Sequence, residues 1–466
     1  MQLPIDFEHE ITEIVGKEEY QRLADALAEN PSVSVRLNRK KPCCWEEGND
    51  LIDDKVAWCR DGFYLKSRPS FTFDPLLHSG AYYVQEASSM FLDHVLEKVL
   101  DEKGNSTLPI IMLDMCAAPG GKSTIARSRL PEGSLLMANE PIGKRVQILA
   151  ENIQKQGYAN TIVTNNYPKD YARSGLMFDM ILCDVPCSGE GMFRKDIQAI
   201  EEWSLHNVEK CHALQREIVA DAWKCLKPDG TLIYSTCTFN TRENEENIKW
   251  IAEELGGEIV EIPIEESWGI TGSLLKGFNK PVYRFIQGRT RGEGLFMAVI
   301  RKLSDEETIS RKAKQNKDRA KNKKKNGSID LSCYLKSADN FSVIEEKDQI
   351  IAFPKDWEHI YKLAQKHLHI VHSGITIGQQ KGRDIVPDQS LALSIELSED
   401  AFPKAELEYD EAISYLRKEA ITLSEDKPRG YVVVTYKGLP LGFVKNIGNR
   451  ANNLYPSEWR IRKIKD

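Results

Sequence analysis

The sequence lacks a long apolar segment, since no run approaches the roughly 18 residues that a membrane-spanning helix needs. Its first residues, MQLPIDFEHEITEIVG, lack the basic start and apolar stretch of a signal peptide. The ten cysteines include no CxxC pair and no disulfide-like spacing, which indicates free thiols in a reducing compartment. A strong positive charge is also missing, because 63 Lys and Arg face 70 Asp and Glu and leave a net charge of −7. We therefore expect a soluble, cytoplasmic protein that can bind nucleic acid only through a local basic surface.

The length and composition are those of an ordinary globular protein. At roughly 150 residues per domain, 466 residues correspond to about three domains. Hydrophobic residues make up 41% and charged residues 29%, which excludes wholesale disorder and a fibrous repeat. No internal repeat of fixed period is present.

From Pro109 onward, short apolar strands alternate with helices. The predicted strands are PIIMLDM, SLLMANE, NTIVTNN, FDMILCDV and TLIYSTC, and GLFMAVIRK (294–302) is a last, hairpin-borne strand. The predicted helices are GKSTIARSRL, IGKRVQILAENIQKQG and NVEKCHALQREIVADAWKCLKPDG, the last ended by Pro228 and Gly230. This alternation predicts an α/β fold with a parallel, doubly wound sheet.

The regions on either side of this alternation have different sequence patterns. Residues 8–30 show a helical pattern, VSVRLN is strand-like, and the apolar spacing from Gln85 to Leu100 predicts an amphipathic helix. Residues 311–325, RKAKQNKDRAKNKKK, hold nine Lys and Arg and one acid, which indicates a flexible basic linker. Beyond it, SLALSIEL and YVVVTY are strand-like and KGLPLG is a predicted turn.

The first candidate for chemistry is LDMCAAPGGKST (113–124), at the junction of the first predicted strand and helix. A small-residue turn at this place lets a ligand approach the backbone and the helix N-terminus. It is not a P-loop, because Cys116 stands where that motif needs glycine five positions before Gly121, and GxGxxG is absent. A tight strand-to-helix connection without a ligand is the alternative.

The second candidate is Glu140, at the end of the second predicted strand. Viewed alone, it is an exposed strand-end carboxylate. Following a nucleotide-binding turn, however, an acid at this position can accept both hydroxyls of a ribose. The combination predicts a ribose-containing cofactor.

Two cysteines lie at the ends of predicted strands, Cys187 after FDMILCDV and Cys237 after TLIYST. The carboxyl ends of neighbouring parallel strands meet at one edge of a sheet, so both sulfurs are expected beside the glycine turn and Asp184. The other cysteines within apolar periodicity, Cys183, Cys211 and Cys225, are interpreted as small buried hydrophobes. No histidine accompanies the two cysteines at ligand spacing, so no metal site is predicted.

These motifs match a known family. The motifs are CAAPGGKST, DVPCSGEG and YSTCT, supported by YYVQEASSM, NEPIGKRVQILAENIQKQG, MFRKD and RTRGEG. In this order they resemble the Sun-type (NSUN) RNA cytosine-C5 methyltransferases, and within them the bacterial 16S ribosomal RNA subgroup called RsmF or YebU. The resemblance covers residues 30–302 well and 436–446 more loosely.

The resemblance implies a Rossmann-like methyltransferase core flanked by RNA-binding modules. The implied domains are an RRM-like module (1–105), the catalytic domain (106–302), a basic linker (303–330), an intermediate subdomain (331–384) and a β-rich, PUA-like domain (385–466). VRLNRKK is expected to form a basic edge of the first module, although the aromatic RNP1 string of a true RRM is absent.

The implied cofactor is S-adenosylmethionine. The expected contacts to its methionine part are Cys116, Ala117, Ala118, Pro119, Gly120, Gly121 and Lys122. Glu140 is expected on the ribose, with Arg145, Asn166, Tyr167 and Asp184 as further cofactor contacts. In much of the family a carboxylate follows the third strand and contacts the adenine. Here Tyr167 aligns with it, so that either Asn166 supplies a polar contact or Tyr167 stacks on the ring.

The family pattern assigns the catalytic roles. Cys237 is the nucleophile that adds to C6 of cytosine, and Cys187 assists breakdown of the adduct. Spacing alone leaves these two roles interchangeable. Asp184 is expected to hydrogen-bond N3 or N4 of a base extruded from its stack. Lys122 lowers the thiolate pKa or supports Asp184, with an ordinary surface lysine as the alternative.

The expected function is formation of 5-methylcytosine in RNA, with 16S ribosomal RNA or the small ribosomal subunit as substrate. The expected protein is a monomer that needs no metal or membrane. Cys237 argues against a DNA substrate, because DNA enzymes of this chemistry use the Pro-Cys cysteine and lack the second one. The alternatives are a transfer RNA cytosine-C5 methyltransferase and a non-catalytic ribosome-assembly factor on the same scaffold.

Overall fold

The computed structural model describes residues 3–42, 49–102, 108–303, 329–382 and 384–463. Its N-terminal region combines helices with a small antiparallel sheet. The elements are α1 (Ile5–Val15), α2 (Lys17–Ala28), β1 (Val33–Leu37), β2 (Ile52–Lys55), β3 (Gly62–Leu65), α3 (Pro75–Ser79), β4 (Tyr82–Val84) and α4 (Phe91–Glu102). The sheet order is β2-β3-β1-β4. The helix predicted over residues 8–30 is thus two helices, because Gly16 interrupts it with a φ of 85°.

The central region contains the predicted doubly wound sheet. Its helices are α5 (Gly121–Arg129), α6 (Gly143–Gln156), α7 (Pro168–Ser174), α8 (Ile197–Glu202), α9 (Leu205–Cys225) and α10 (Glu245–Glu254). Its strands are β5 (Ile111–Asp114), β6 (Leu135–Asn139), β7 (Thr161–Thr164), β8 (Phe178–Asp184), β9 (Leu226–Thr236), β10 (Gly257–Val260), β11 (Tyr283–Phe285) and β12 (Leu295–Lys302). Strands β9, β8, β5, β6 and β7 lie side by side and parallel. As expected for the last strand, β12 pairs antiparallel with both β9 and β11.

The strands of this sheet are apolar on both faces because both faces are covered. Ile111 and Leu113 pack into one core, whereas Met112 between them packs into a second core on the opposite face. Helix α4 contributes Phe91 and Val95 to that second core, which fixes the N-terminal region against the sheet. Such two-sided burial is typical of parallel strands covered by helices.

The C-terminal region is built from short strands and helices. These are β13 (Phe341–Glu346), β14 (Gln349–Pro354), α11 (Glu358–His367), β15 (Ile370–Ser373), β16 (Ile375–Lys381), β17 (Asp384–Pro387), α12 (Gln389–Leu393), β18 (Lys404–Glu406), α13 (Tyr409–Leu416), β19 (Gly430–Tyr436), β20 (Leu439–Asn446) and β21 (Ala451–Asn453). They form two further sheets, β13-β14-β16-β17 and β18-β19-β20-β21. Of the predicted turn KGLPLG, only Lys437 and Gly438, both at positive φ, connect β19 to β20, whereas residues 439–442 belong to β20.

Two local predictions are wrong. SLALSIEL is not a strand, because Asp388 caps the N-terminus of α12 by accepting a hydrogen bond from the Ser390 backbone and starts a helix instead. Helix α9 is not ended by Pro228 and Gly230, which lie inside β9 after the helix has ended at Cys225. The predicted basic linker at 311–325 lies outside the described residues.

Strand β15 joins the central sheet from the C-terminal region. It pairs antiparallel with β7, so the order reads β10-β12-β9-β8-β5-β6-β7-β15. Just beyond the pair, the Asn165 N–H donates to the His369 carbonyl over 3.0 Å. The sheet of the predicted catalytic domain thus takes a strand from the predicted intermediate subdomain, and the domain boundaries stay predictions. Within the described ranges, no helix is long and apolar enough to cross a membrane.

Candidate active site

The candidate site lies where β5, β6, β8 and β9 end at their carboxyl termini. Because β8 and β9 are parallel neighbours with Asp184 opposite Ser235, the loops that follow them leave the sheet side by side. The strand-to-helix turn after β5 opens at the same edge. This is the crevice in which doubly wound sheets bind ligands.

The two predicted cysteines meet in this crevice. The Sγ atoms of Cys187 and Cys237 are 3.2 Å apart, and the Cys237 backbone N–H donates to the Cys187 sulfur over 3.3 Å. The hydrogen bond with Cys237, together with burial, raises the pKa of the Cys187 thiol. The raised pKa favours the protonated thiol at Cys187, which lies within hydrogen-bonding distance of the Cys237 sulfur.

A charged pair stands beside the cysteines. The Lys122 Nζ donates to Asp184 Oδ2 over 2.9 Å, and the Ser235 hydroxyl donates to Asp184 Oδ1 over 2.6 Å. Burial opposes the charge of Lys122, but Asp184 and then Cys237 outweigh it, so the pKa of Lys122 is raised. The alternative of an ordinary surface lysine is wrong, since the side chain is only 13% exposed. Lys122 therefore holds the carboxylate of Asp184 in place.

The turn between β5 and α5 is held from several sides. Gly120 has a φ of 116°, which favours glycine at this position. The Arg145 Nη2 donates to the Ala118 carbonyl over 2.9 Å, and the Asn152 side chain donates to the Pro119 carbonyl over 2.8 Å. Ala117 is buried, and its N–H donates to the Asn139 carbonyl over 2.8 Å. The turn is therefore preformed, with the small side chains of Ala117 and Ala118 packed against α6 and the neighbouring strands.

Asp114, at the end of β5, is a site residue that the sequence prediction missed. Its carboxyl is fully buried, and Oδ2 accepts a hydrogen bond from the Ser123 hydroxyl over 2.6 Å. Oδ1 has no hydrogen-bond partner of normal geometry among the described residues. Burial outweighs the hydrogen bonds from the Ser123 hydroxyl and the Cys116 backbone and raises the pKa of Asp114 to about 7. A buried carboxyl oxygen without a donor fits the ammonium group of a cofactor that carries an amino acid.

Glu140 is not the exposed strand-end carboxylate of the alternative interpretation, because only 2% of it is accessible. Its Oε1 accepts a hydrogen bond from the Ile142 N–H over 2.9 Å, and Oε2 lies 3.5 Å from Arg145 Nη1. These contacts fix the carboxylate at the end of β6, next to the turn, where it can accept the hydroxyls of a ribose. Together, the turn, Asp114 and Glu140 fit S-adenosylmethionine.

The two residues expected near the adenine, Asn166 and Tyr167, have different surroundings. The Asn166 Oδ1 accepts a hydrogen bond from the His369 N–H over 2.9 Å, which ties this loop to β15. Tyr167 is 61% exposed, with the Lys169 ammonium 5.6 Å from its ring centroid. Their contacts to a cofactor stay predictions.

Two buried acids below the cysteine loops were also missed. Glu243 accepts hydrogen bonds from the Ser188 N–H over 3.0 Å and from the Gln215 side chain over 2.7 Å, and burial raises its pKa to about 7. Glu190 accepts from the backbone N–H groups of Phe239 and Asn240 over 2.6 and 3.0 Å. The two carboxyls therefore tie the loop of Cys187 to the loop of Cys237. Glu190 belongs to the motif DVPCSGEG, but no spacing in the sequence reveals that it turns inward.

The described residues contain no cluster of three or more His, Cys, Asp or Glu that could hold a metal ion. Each of the eight cysteines that the structure describes is free.

Comparison with known proteins shows which family the chain resembles. The sequence profile of "16S rRNA methyltransferase RsmB/F" matches residues 98–301. The profiles of the N-terminal domain and the PUA domain of the methyltransferase RsmF match residues 3–87 and 402–461. These matches confirm the predicted fold class, a methyltransferase core with an N-terminal domain and a C-terminal PUA domain.

Individual proteins give the same result. The "Ribosomal RNA small subunit methyltransferase F" of Shewanella woodyi is 31% identical over 422 residues, covering 87% of this chain and 84% of the relative. The methyltransferase homolog protein of Pyrococcus horikoshii has 27% identity and a TM-score of 0.54, covering 64% of this chain and 94% of that one. NSun6 of Pyrococcus horikoshii, solved with SFG, has 21% identity and a TM-score of 0.55, covering 65% of this chain and 99% of that one, and shows the same fold.

The resemblance found in the sequence motifs is thus confirmed along most of the chain. The motif residues lie at the strand ends where a methyltransferase site is expected. The chain belongs to the RsmB/F family of 16S rRNA methyltransferases.

Proposed function

We propose that the protein transfers a methyl group from S-adenosylmethionine to C5 of a cytosine in RNA, and that this RNA is small-subunit ribosomal RNA. The observation that carries the proposal is the 3.2 Å separation of the Cys187 and Cys237 sulfurs beside the Lys122–Asp184 pair. The relatives named small-subunit ribosomal RNA methyltransferase F support the choice of RNA. We expect the enzyme to act as a cytoplasmic monomer.

The cofactor supplies an electrophilic methyl group when it is bound. The turn from Cys116 to Lys122 would hold its methionine part, with the free oxygen of Asp114 accepting from its ammonium group. Glu140, fixed by the Ile142 N–H, would accept the ribose hydroxyls. Arg145 contributes by holding the Ala118 carbonyl of the turn.

The cysteines act on the base. C5 of cytosine is a weak nucleophile until the thiolate of Cys237 forms a bond to C6, which gives C5 the electron density of an enamine. Asp184, held by Lys122 and Ser235, hydrogen-bonds the N3 or N4 edge of the base as that density develops. After transfer, the C5 proton passes to solvent, the electrons of the C5–H bond re-form the C5–C6 double bond, and the C6–S electrons return to Cys237. The thiol of Cys187 hydrogen-bonds the departing sulfur and stabilises its thiolate.

The first test traps the covalent adduct. Cys187→Ala, mixed with S-adenosylmethionine and unmodified small-subunit ribosomal RNA, is expected to accumulate a denaturant-resistant protein–RNA complex on a gel, because release is impaired. The complex should vanish in Cys187→Ala/Cys237→Ala. Cys211→Ala is the matched control, since this half-buried cysteine lies outside the sulfur pair, and it should turn over normally. An adduct that forms only through Cys187, when Cys237 is removed, would reverse the two roles.

The second test identifies the RNA. Bisulfite sequencing of RNA from cells with the wild-type gene and with Cys237→Ala should reveal a cytosine in 16S ribosomal RNA that is methylated only in the former. Loss of a methylated cytosine confined to transfer RNA would support the transfer RNA alternative. Unchanged methylation everywhere, with intact RNA binding by the wild type, would support the assembly-factor alternative.

A further inference from the structure

A second cavity lies between the N-terminal sheet and the central region. It has a volume of about 160 Å³ and is enclosed by residues of β1, β4 and α3 on one side and of α6 on the other. Two of its lining residues are cations, Arg36 and Lys155, and none of the described residues that line it is an acid. Small-molecule sites usually measure about 300–1,000 Å³, so this cavity suits a single chemical group rather than a whole cofactor.

Arg36 is the unusual residue of this cavity. The sequence predicted a basic edge at VRLNRKK, but Arg36 is only 3% exposed. Its Nε donates to Gln85 Oε1 over 2.9 Å and its Nη2 donates to Thr124 Oγ1 over 2.7 Å, and both acceptors are neutral. Burial lowers the pKa of Arg36, against the weaker influence of Asp93 and Asp61.

The nearby acids are already engaged with other cations. Asp61 pairs with Arg39, and Asp93 pairs with Arg129. The other cation of the cavity, Lys155, is held by Glu151 at 2.6 Å. Arg36 is therefore a buried charge that no carboxylate in the described parts of the chain hydrogen-bonds, which is costly unless an anion completes it.

The cavity adjoins the catalytic turn. A Cβ built on Gly121 would lie 3.3 Å from the Gln85 amide nitrogen and 3.3 Å from the ring of Tyr83, so these two side chains pack against the first residue of α5. Arg36 itself reaches Thr124, one turn further along α5. An anion in this cavity would thus sit beside the helix that carries Lys122.

We propose that this cavity binds one backbone phosphate of the RNA substrate, with the guanidinium of Arg36 as its donor. The inference rests on the proposed function only in taking RNA as the substrate. The planar guanidinium can present two N–H groups to two phosphate oxygens, a geometry that a lysine cannot reproduce. Asn38 and Asn152 line the same space, and their side-chain amides are held in place by donating to backbone carbonyls.

The test measures the salt dependence of RNA binding by the full chain, without cofactor, using unmodified small-subunit ribosomal RNA. Arg36→Gln is expected to weaken binding about tenfold at low salt. It should also reduce the slope of log K against log salt by about 0.7 to 0.9, the loss of one phosphate contact. Arg36→Lys keeps the charge, so its slope should stay at the wild-type value while its affinity falls.

A second pair of variants remains informative if Arg36→Gln does not fold. Leu77 lines the cavity on the N-terminal side and is partly exposed. Leu77→Glu places a carboxylate in reach of the anion and should lower affinity and slope as Arg36→Gln does. Leu77→Gln has the same size without the charge and should bind like the wild type. Equal slopes for Leu77→Glu, Leu77→Gln and the wild type would overturn the proposal.

The source of the phosphate is tested separately. Cytidine monophosphate and inorganic phosphate are added to the wild type and to Arg36→Gln, and thermal stability is measured. These small anions could stabilise only the wild type while Arg36→Gln and the wild type have the same slope of log K against log salt for RNA. That result would overturn the RNA assignment in favour of a free ligand. Because binding is measured without methyl transfer, the binding result can be interpreted even if the proposed catalytic function is wrong.

Discussion

Asp114 shows how one side chain can link the fold to the chemistry. Its position at the end of β5 buries it completely, and Ser123 satisfies only one of its oxygens. The folded chain therefore holds this carboxyl largely neutral below about pH 7. A cationic group placed at the free oxygen would favour the ionised form.

This arrangement predicts a pH-dependent affinity for S-adenosylmethionine. Below about pH 7 binding must expel the proton of Asp114, so affinity should rise nearly tenfold per pH unit from pH 5 and level off near pH 7. It should fall again above about pH 8, where an α-amino group loses its charge. Isothermal titration calorimetry from pH 5 to 9 would measure the profile.

Two variants separate Asp114 from other titrating groups. Asp114→Asn should remove the rise on the acid side. Glu243→Gln should retain it, although the pKa of Glu243 is also raised to about 7. A wild-type affinity that is flat from pH 5 to 7 would contradict the assignment of Asp114 to the ammonium group.

Among individual residues, the sequence predicted those that belong to a motif and missed those whose properties depend on burial. Cys187 and Cys237 were placed together because strand ends converge, and their 3.2 Å contact fits that argument. Asp114 and Glu243 were missed, since Asp114 was assigned no role within its strand and motif and Glu243 lies in no predicted motif. Burial of a carboxyl depends on neighbours far away in the chain, which a pattern of residue types does not contain.

Helix α6 illustrates how an element is fitted to its surroundings. It ends at Gly157, whose φ of 89° is left-handed. The carbonyl of Gly157 accepts a hydrogen bond from the Ile395 N–H over 3.0 Å, so the end of this helix is also a contact with the C-terminal region. A Cβ at Gly157 would lie 2.5 Å from the Leu393 carbonyl oxygen.

Gly157→Ala is therefore expected to lower the free energy of unfolding by more than the strain of a left-handed backbone alone. Gly175 at the end of α7 is the matched control, because its φ is 74° but its Cβ position is open. Gly175→Ala should cost about 1–2 kcal/mol from the left-handed backbone, and Gly157→Ala about 1–3 kcal/mol more from the forced contact. Urea denaturation followed by tryptophan fluorescence would measure both, and equal losses would show that the Leu393 contact relaxes freely.

The strands and helices with strong periodicity were predicted, and the exceptions have identifiable causes. The alternation of apolar strands and helices after Pro109 predicted the parallel core of the sheet. Strand β15 gave no such signal, because it has only four residues and its partner strand β7 lies about two hundred positions earlier in the chain. SLALSIEL was mistaken for a strand since burial on all sides leaves no helical period to detect.

Across the whole molecule, two buried histidines lie at junctions between regions. The Nε2–H of His78 in α3 donates a hydrogen bond to the Thr72 carbonyl over 2.9 Å, and the ring faces the hydroxyl of Tyr455. His372 lies in β15, against β7. Burial lowers the pKa of His78 to about 3 and that of His372 to about 4, so both are neutral at the pH of the cell.

Acidification should therefore weaken both junctions. Between pH 6.5 and 5 the unfolded chain takes up a proton at each histidine while the folded chain does not, which costs about 2 kcal/mol per residue. Asp114 and Glu243 act in the opposite direction because their pKa values are raised. The melting temperature at pH 7 and pH 5 should thus fall more for the wild type than for His78→Gln/His372→Gln. An identical fall in melting temperature in the two proteins would mean that protonation of the histidines does not weaken the junctions.

The pairing of β15 with β7 also imposes an order of events on the ribosome. Strand β12 is complete at Lys302, yet β7 keeps an open edge until Ile370–Ser373 has been synthesised and has left the exit tunnel. An uncovered edge strand invites pairing with another chain. The loop after β7 is bonded to Asn139 of β6 through the backbone of Asn166, and it gains its hydrogen bond from the His369 N–H only in that later interval. The nascent polypeptide therefore covers this edge of the sheet only after most of its own length has been translated, and a premature stop after the catalytic motifs would release a chain whose β7 edge can pair with another chain.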